Sequence, residues 1–463
     1  MNDSTNEAER NPAAQPRSFL PSTVHNQAST LPPNRRWIWL ALIGMVALTA
    51  VTFTIVSPHA IHETPPTLKT SSPRRGVTPP PIQAIADNQQ DKKLPEPDVR
   101  VNVTPGGVSS LRLQLRCQCD LRSLDKSAAH LATLQPSAVS VTATESGLKL
   151  NDHQYSAHQL EIQPEKSPAI SVDGHLYRGR IRLFRRTDGK VSAVNVLPLE
   201  AYLGSVVDSE MPATFPAAAR QAQAIVARTY ALYQIQHANP NSVFDLLSSQ
   251  RSQKYLGVEY NDRTGRRLAG ESESSRQAVQ ATRCLICKWQ NQLFCTYYSA
   301  VCGGQTTNGS EVFKDASAAT KSVTCEWCSE SPYYHWTTKL PQNDFLEAVL
   351  HRTAVAGDSK LIDSIQQRSP DGGRISRFEI RTGDMLTLMN GIELRERLPA
   401  GTLFSPHFCI EVDRDLVIFT GQGHGHGVGF CQWGAKGQAE AGRNSTEIVR
   451  YYYPGADVNK LNY

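Results

Sequence analysis

The chain has 463 residues, room for two or three domains or for one large domain with non-globular ends. Its net charge of +5 is small for that length, and no cluster of Lys and Arg is interleaved with aromatics, so nucleic acid is not an expected partner. Twenty-eight prolines, many of them near the start, point to an extended segment rather than a core.

Residues 1–36, rich in Asn, Ser, Pro and Ala, read as a disordered tail. Trp37 to Val56 follows, an uncharged run that as a helix rising about 1.5 Å per residue matches a hydrocarbon core roughly 30 Å thick. Arg35 and Arg36 precede it and no Lys or Arg follows until Lys69, so the positive-inside rule keeps the tail in the cytoplasm and exports everything after the span. A cleaved signal peptide is the alternative. It fits less well, because the apolar run exceeds the roughly 7–15 residues of such a region and no small-x-small site follows. Residues 57–97 carry nine prolines between Pro58 and Pro97 and few apolar side chains. They read as a polyproline-rich spacer that, at about 3.1 Å per residue, reaches on the order of 100 Å from a membrane.

From Val99 the pattern alternates: Val99, Val101 and Val103, then Leu111, Leu113 and Leu115, then Val139 and Val141. A hairpin is expected where Arg180–Phe184 meets Val191–Val196 across Asp188-Gly189. A longer helix is predicted from Ala217 to Gln236, capped by Thr214 with Pro216 in its first turn, and a second from Glu271 to Thr282. Strands near Phe378–Ile380 and Cys409–Phe419, then a short helix from Thr446, complete an α+β body of mostly antiparallel strands over residues 98–463.

Four ordered blocks stand out. The first runs from Leu197 to Pro212 and includes Ser209-Glu210-Met211-Pro212; it is followed by Ala222–Leu232, by Tyr297-Tyr298-Ser299-Ala300-Val301-Cys302-Gly303-Gly304, and by the strip Gly421–Ala435. The strip places glycines at 421, 423, 425, 427 and 429, so a ligand can approach its backbone, and His424, His426 and Gln432 supply polar side chains. Taken alone it is equally compatible with a glycine-rich hairpin whose histidines bond to nearby backbone. Glu210, flanked by Val206, Val207 and Met211, is expected to lose hydration, which raises its pKa and keeps a general acid available near neutrality. An acid answering a helix dipole is the competing reading of Glu210. Glu210 is expected at the end of an apolar strand or turn, Ser205 to Ser209, and Asp208 would face away from it if that stretch is extended.

Together these blocks resemble the signature segments of the stage II sporulation protein D and amidase-enhancer (SpoIID/LytB) family, over roughly Asp98–Tyr463. The resemblance implies a SpoIID-like body acting on peptidoglycan outside the cytoplasmic membrane. Glu210 matches the acid of the Ser-Glu-Met-Pro block, the catalytic residue of a lytic transglycosylase in this family. Its other branch is non-enzymatic and enhances a cell-wall amidase, which stays open as a partner. Tyr298, Gln253 and Tyr255 of the block Ser252–Gly257, His424, His426, Gln432 and Arg228 are the expected glycan-binding residues, each with a packing role as the alternative. No cofactor is required for such chemistry. Where relatives have Gly-Met-Ser-Gln, this chain has Gly429-Phe430-Cys431-Gln432, which puts in doubt any role for a hydroxyl at 431.

Ten cysteines lie beyond the apolar span. In an exported protein they suggest disulfides, with Cys409–Cys431 one such pair. Yet Cys284-x-x-Cys287 and Cys325-x-x-Cys328 have spacing suited to a structural zinc, with Cys302 and His335 as further ligands. A catalytic zinc on His424 and His426 lacks an evident third ligand.

Overall fold

The computed structural model describes residues 95–125, 129–350, 362–368 and 374–463, all within one compact unit, Ala86–Tyr463. The apolar span at 37–56 and most of the proline-rich spacer lie outside the described residues. Among the described residues no helix is long and apolar enough to cross a membrane.

Alternation of apolar side chains builds two large sheets. Ser110–Leu115 buries every second residue, the period-two pattern of a strand with one face inward. It sits in an eight-stranded antiparallel sheet between Ile170–Val172 and Ala138–Thr144. Asp98–Asn102 pairs with Val191–Pro198 in a seven-stranded sheet, antiparallel except where Asp98–Asn102 meets Leu246–Leu247. The expected hairpin forms: Arg180–Arg185 pairs with Val191–Pro198, and Gly189 takes φ 75°, the left-handed turn geometry that Asp-Gly favours. Leu111, Leu113 and Leu115 of one sheet and Leu160, Ile162, Ile181 and Leu183 of the other belong to one hydrophobic core.

Seven helices occur among the described residues: α1 Leu199–Glu210, α2 Ala217–His237, α3 Glu273–Ala281, α4 Gln342–Leu350, α5 Gly391–Arg397, α6 Gln432–Glu440 and α7 Ser445–Tyr452. The α2, α3 and α7 helices stand within a residue or two of their expected spans. Pro216, not Thr214, occupies the N-cap of α2, and no side chain caps it. The residues before Glu210, expected as strand or turn, form α1 instead. The α1 segment is buried on nearly all sides, from Leu199 through Val207, so no one-sided helical stripe marks it in the sequence.

A second core joins α2, α6 and α7 around Ile225, Phe430, Tyr452 and five cysteines. A third unites the sheet His335–Pro341, Leu416–Gln422 and Phe408–Asp413 with the sheet Ser364–Arg368, Arg377–Thr382 and Met385–Asn390, together with α4 and α5. The glycine strip leaves that third region directly from the end of Leu416–Gln422.

Candidate active site

Helix α1 stops because of Pro212: a residue preceding proline is driven out of the helical region, and Met211 accordingly takes φ −130°, ψ 134°. Glu210 is thus the final residue of α1. It stands at the carboxyl end of the helix dipole, which disfavours an anion, so it is not an acid answering a helix N-terminus.

Three groups close on the Glu210 carboxyl. The Lys254 N–H donates to Oε1 at 2.8 Å and the Gln432 side-chain amide donates to Oε2 at 3.3 Å. The buried Tyr298 hydroxyl lies against the same carboxyl and helps hold its pKa down, although no hydrogen bond of good geometry joins them. Burial is the strongest influence and wins over these donors, raising the pKa of Glu210 above the usual carboxylate value. Removing a lowering partner should raise it further. In Tyr298→Phe the alkaline limb of a pH–activity profile is expected to move to higher pH; an unchanged limb would separate Tyr298 from the titration of Glu210.

The partners arrive from three places in the chain. Lys254 belongs to the Ser252–Gly257 block, which is tied to α1 a second time through the Leu256 N–H to Ser205 Oγ, 3.2 Å. Tyr298-Ser299 pairs in parallel with Phe430-Cys431, placing Tyr298 beside Gln432 at the start of α6. At its glycines the strip between has no room for side chains. A Cβ on Gly429, at φ 70°, would lie 2.2 Å from the Tyr297 carbonyl oxygen, and one on Gly423, at φ 81°, 2.6 Å from that of Val301.

The histidines of the strip take different surroundings. His426 accepts the Val428 N–H on Nδ1 at 3.0 Å, which places any single ring proton on Nε2, and packs edge-on against Tyr297 and Phe313. Burial first and then the charge of Arg395 lower its pKa to about 4. His424 instead lies against Tyr333 and Phe404, its backbone bridged to Val301. Behind the strip, His407 is 8 % exposed, bonds Thr307 Oγ1 at 2.9 Å, and is lowered to about 3 by burial first and then by Arg374, His426 and Arg395.

Depressed histidines fix the sign of a stability effect. An unfolded histidine takes its proton near pH 6.5 while folded His407 does not until about pH 3, so between those values the unfolded state binds more protons and stability falls as pH falls. The contribution of His407 between pH 7 and pH 5 is about 2 kcal/mol. Thermal unfolding measured across that range should show a shallower loss in His407→Gln than in the wild type.

Three expected glycan-binding residues stand elsewhere. Gln253 is fully buried, its amide spent on the Tyr202 hydroxyl and the Ala227 carbonyl. Tyr255 is buried with its hydroxyl donated to Asn195. Arg228 is fully buried in a two-pronged pair with Glu200. All three are buried, with their polar groups bonded within the protein. It is the backbone of Lys254, not the side chain of Gln253, that reaches Glu210. Asp208 is also turned away, bound by Arg220 at 2.7 Å and by the Ser272 hydroxyl at 2.6 Å.

One participant was missed. Gln223, on the buried face of α2, accepts from Gln432 Nε2 at 3.4 Å, and its own amide nitrogen is buried with no partner. A glutamine set among Ala219, Ala222, Ile225 and Val226 was a visible signal: burying an amide on an apolar face is unfavourable without a polar counterpart. The orphaned amide of Gln223 and hydroxyl of Tyr298 mark the surroundings of Glu210 as polar but incompletely satisfied.

Among the cysteines, Cys302, Cys325, Cys328 and Cys431 come together, whereas His335 is exposed and Cys409 lies exposed on Phe408–Asp413. Cys284 and Cys287 are buried apart from that group, the former against the Tyr463 carbonyl.

The family model described as "Stage II sporulation protein" matches residues 187–289, the segment that carries Glu210, Gln223 and Lys254. An uncharacterized protein of Brachyspira hyodysenteriae is 30 % identical over 332 residues, 72 % of this chain and 85 % of the relative. The stage II sporulation protein D of Bacillus subtilis is 30 % identical over 277 residues, 58 % of this chain and 77 % of that protein. The amidase enhancer of Bacillus subtilis is 26 % identical over 361 residues, 67 % of this chain and 48 % of that protein. The chain belongs to the stage II sporulation protein D and amidase-enhancer (SpoIID/LytB) family.

Proposed function

We propose that this protein is a peptidoglycan lytic transglycosylase, held at the cytoplasmic membrane by the apolar stretch 37–56 with residues 98–463 outside, and that Glu210 is its general acid and base. The observation that carries the reading is the Glu210 carboxyl itself: half-buried, raised in pKa by the loss of hydration, and gripped by one backbone N–H and one side-chain amide. The raised pKa shifts the carboxyl toward its protonated form, from which a glycosidic oxygen can take a proton.

The reaction balances on one carboxyl. Glu210 gives its proton to the oxygen linking muramyl C1 to the next sugar, and that C1–O bond breaks. The carboxylate then takes the proton of the muramyl 6-hydroxyl as O6 bonds to C1, leaving a 1,6-anhydro end and restoring the acid without consuming water. A glycosidase releasing a reducing end usually needs a second carboxylate. Asp208 is committed to Arg220 and Ser272, which favours the one-acid route. Tyr298, half-buried beside Glu210, is suited to hydroxyl and acetamido groups of the glycan, while the buried Gln432 and Gln223 support the carboxyl from within.

Mass analysis of the products from glycan strands stripped of peptide tests this. Anhydromuramyl ends are expected; reducing ends would overturn the route. The family relationship to an amidase enhancer supports a second reading, in which the body binds wall and stimulates a partner amidase. No glycan product from the wild type, combined with stimulation of a purified wall amidase, would favour it.

A further inference from the structure

Four cysteine sulfurs meet beneath the strip. Cys302 follows the Tyr298 segment, Cys325 and Cys328 bracket a single helical turn, and Cys431 caps α6. All four are buried, and their sulfurs lie within 4.8 Å of one another. The Cys302 and Cys328 sulfurs are 3.7 Å apart. Two thiolates bound tetrahedrally at about 2.3 Å from one zinc ion stand about 3.8 Å apart, whereas a disulfide draws them to about 2.05 Å.

The surroundings suit bound thiolates. Cys431 Sγ accepts the N–H groups of Cys302 and Gly434, each at 3.3 Å, and the Tyr452 hydroxyl lies 3.2 Å from Cys325 Sγ. Such donors orient ligating sulfurs and offset their charge. The Arg374 guanidinium, bonded to the Cys302 carbonyl at 3.1 Å, stands near enough to feel the Cys302 and Cys328 sulfurs. A zinc with four thiolates carries a net charge of about −2, which this cation partly balances. The backbone of α6 presses onto the cluster, since a Cβ on Gly434 would come 2.6 Å from Cys325 Sγ.

We propose that Cys302, Cys325, Cys328 and Cys431 bind one zinc ion in a closed, four-thiolate structural site. With all four positions filled by protein, the ion has no place for substrate or water and does no chemistry of its own. Its role is to tie three stretches together. Cys431 immediately precedes Gln432, and Cys302 lies four residues beyond Tyr298, so the ion fastens two of the three groups that close on Glu210. Cys431, standing where relatives of this family have serine, thereby acquires a role that a hydroxyl could not fill.

The test uses the full chain, purified in detergent without reductant or chelator. Elemental analysis should find about one zinc per chain and no stoichiometric iron. Titration with an organomercurial, followed with a chromogenic zinc chelator, should release that zinc in step with four thiols. Cys325→Ser and Cys328→Ser should lose the zinc and melt at lower temperature, while Cys409→Ser, altering an exposed thiol, should keep both. Because the two serine variants can fail to fold, the titration of the wild type decides independently of them. Metal-free protein lighter by two hydrogens for each of two bridges, iron in place of zinc, or zinc retained after loss of Cys325 or Cys328 would each overturn the site. None of these readouts depends on glycan cleavage, so the zinc site and the transglycosylase reading stand or fall separately.

Discussion

Glu210→Gln should abolish anhydromuramyl release while leaving the fold intact. A general acid or base typically contributes about 10²–10⁴-fold, and on the proposed one-acid route a single carboxyl performs both proton transfers, so the loss is expected near 10⁴-fold. Glutamine is nearly the same size, and its carbonyl oxygen can still accept the Lys254 N–H that now lies 2.8 Å from Oε1. Stability supplies a second readout with a definite sign. Burial raises the folded pKa of Glu210 above its unfolded value near 4.3, so between the two the folded state holds more protons and wild-type stability declines as pH rises. The glutamine variant has no such slope, and should melt at least as high as the wild type at pH 8. Kinetics of product release and thermal melts on the same preparation check both. Full activity in a well-folded variant would remove Glu210 from the mechanism.

How much of this could be read from the chain depends on whether a residue's role is local. The strand alternation, the Asp188-Gly189 hairpin and the long helix α2 follow from side-chain spacing and turn chemistry, and they appear in place. Helix α1 did not show itself because burial on nearly every side erased the one-sided stripe, leaving Val206-Val207 to resemble a strand. Glu210 was legible through its apolar flanks. Its partners were less so: a backbone N–H such as that of Lys254 has no signature in sequence. Nor does sequence reveal which way a polar side chain turns, which is why Gln253, Tyr255 and Arg228 were expected to bind glycan and are buried. The cysteine cluster was legible in part. Cys325, Cys328 and Cys302 were expected together, but with Cys284, Cys287 and His335 rather than Cys431, which is brought in by the parallel pairing of Tyr298-Ser299 with Phe430-Cys431, a contact between segments far apart in the chain.

Arg228→Met is the substitution expected to destabilise the body most. Arg228 Nε and Nη2 hold the two oxygens of Glu200 at 2.8 and 2.7 Å, the Tyr463 hydroxyl adds a bond to Glu200 at 2.6 Å, and Arg228 also donates to the Leu285 carbonyl at 3.0 Å. Burial alone would raise the pKa of Glu200, but Arg228 and Tyr463 more than offset it and the carboxyl is held below its usual value. Methionine fills similar volume and leaves Glu200 charged, buried and unmatched. Breaking such a pair costs about 3–5 kcal/mol, a drop in melting temperature on the order of 10 °C. The deficit should shrink in acid, because Glu200 in the variant can protonate, while the wild-type pair loses its own stabilisation as pH falls from the unfolded pKa of Glu200 through the lowered folded one. Replacing both partners, as in Glu200→Met with Arg228→Met, removes the stranded charge and should recover much of the stability. The same double variant decides whether Arg228 touches glycan. Glu200 lies in the first turn of α1 and Glu210 at its far end, so the pair positions the helix that presents the acid. A stable double variant with unchanged substrate affinity confirms that purely supporting role; a stable one that no longer binds peptidoglycan would return Arg228 to the binding surface.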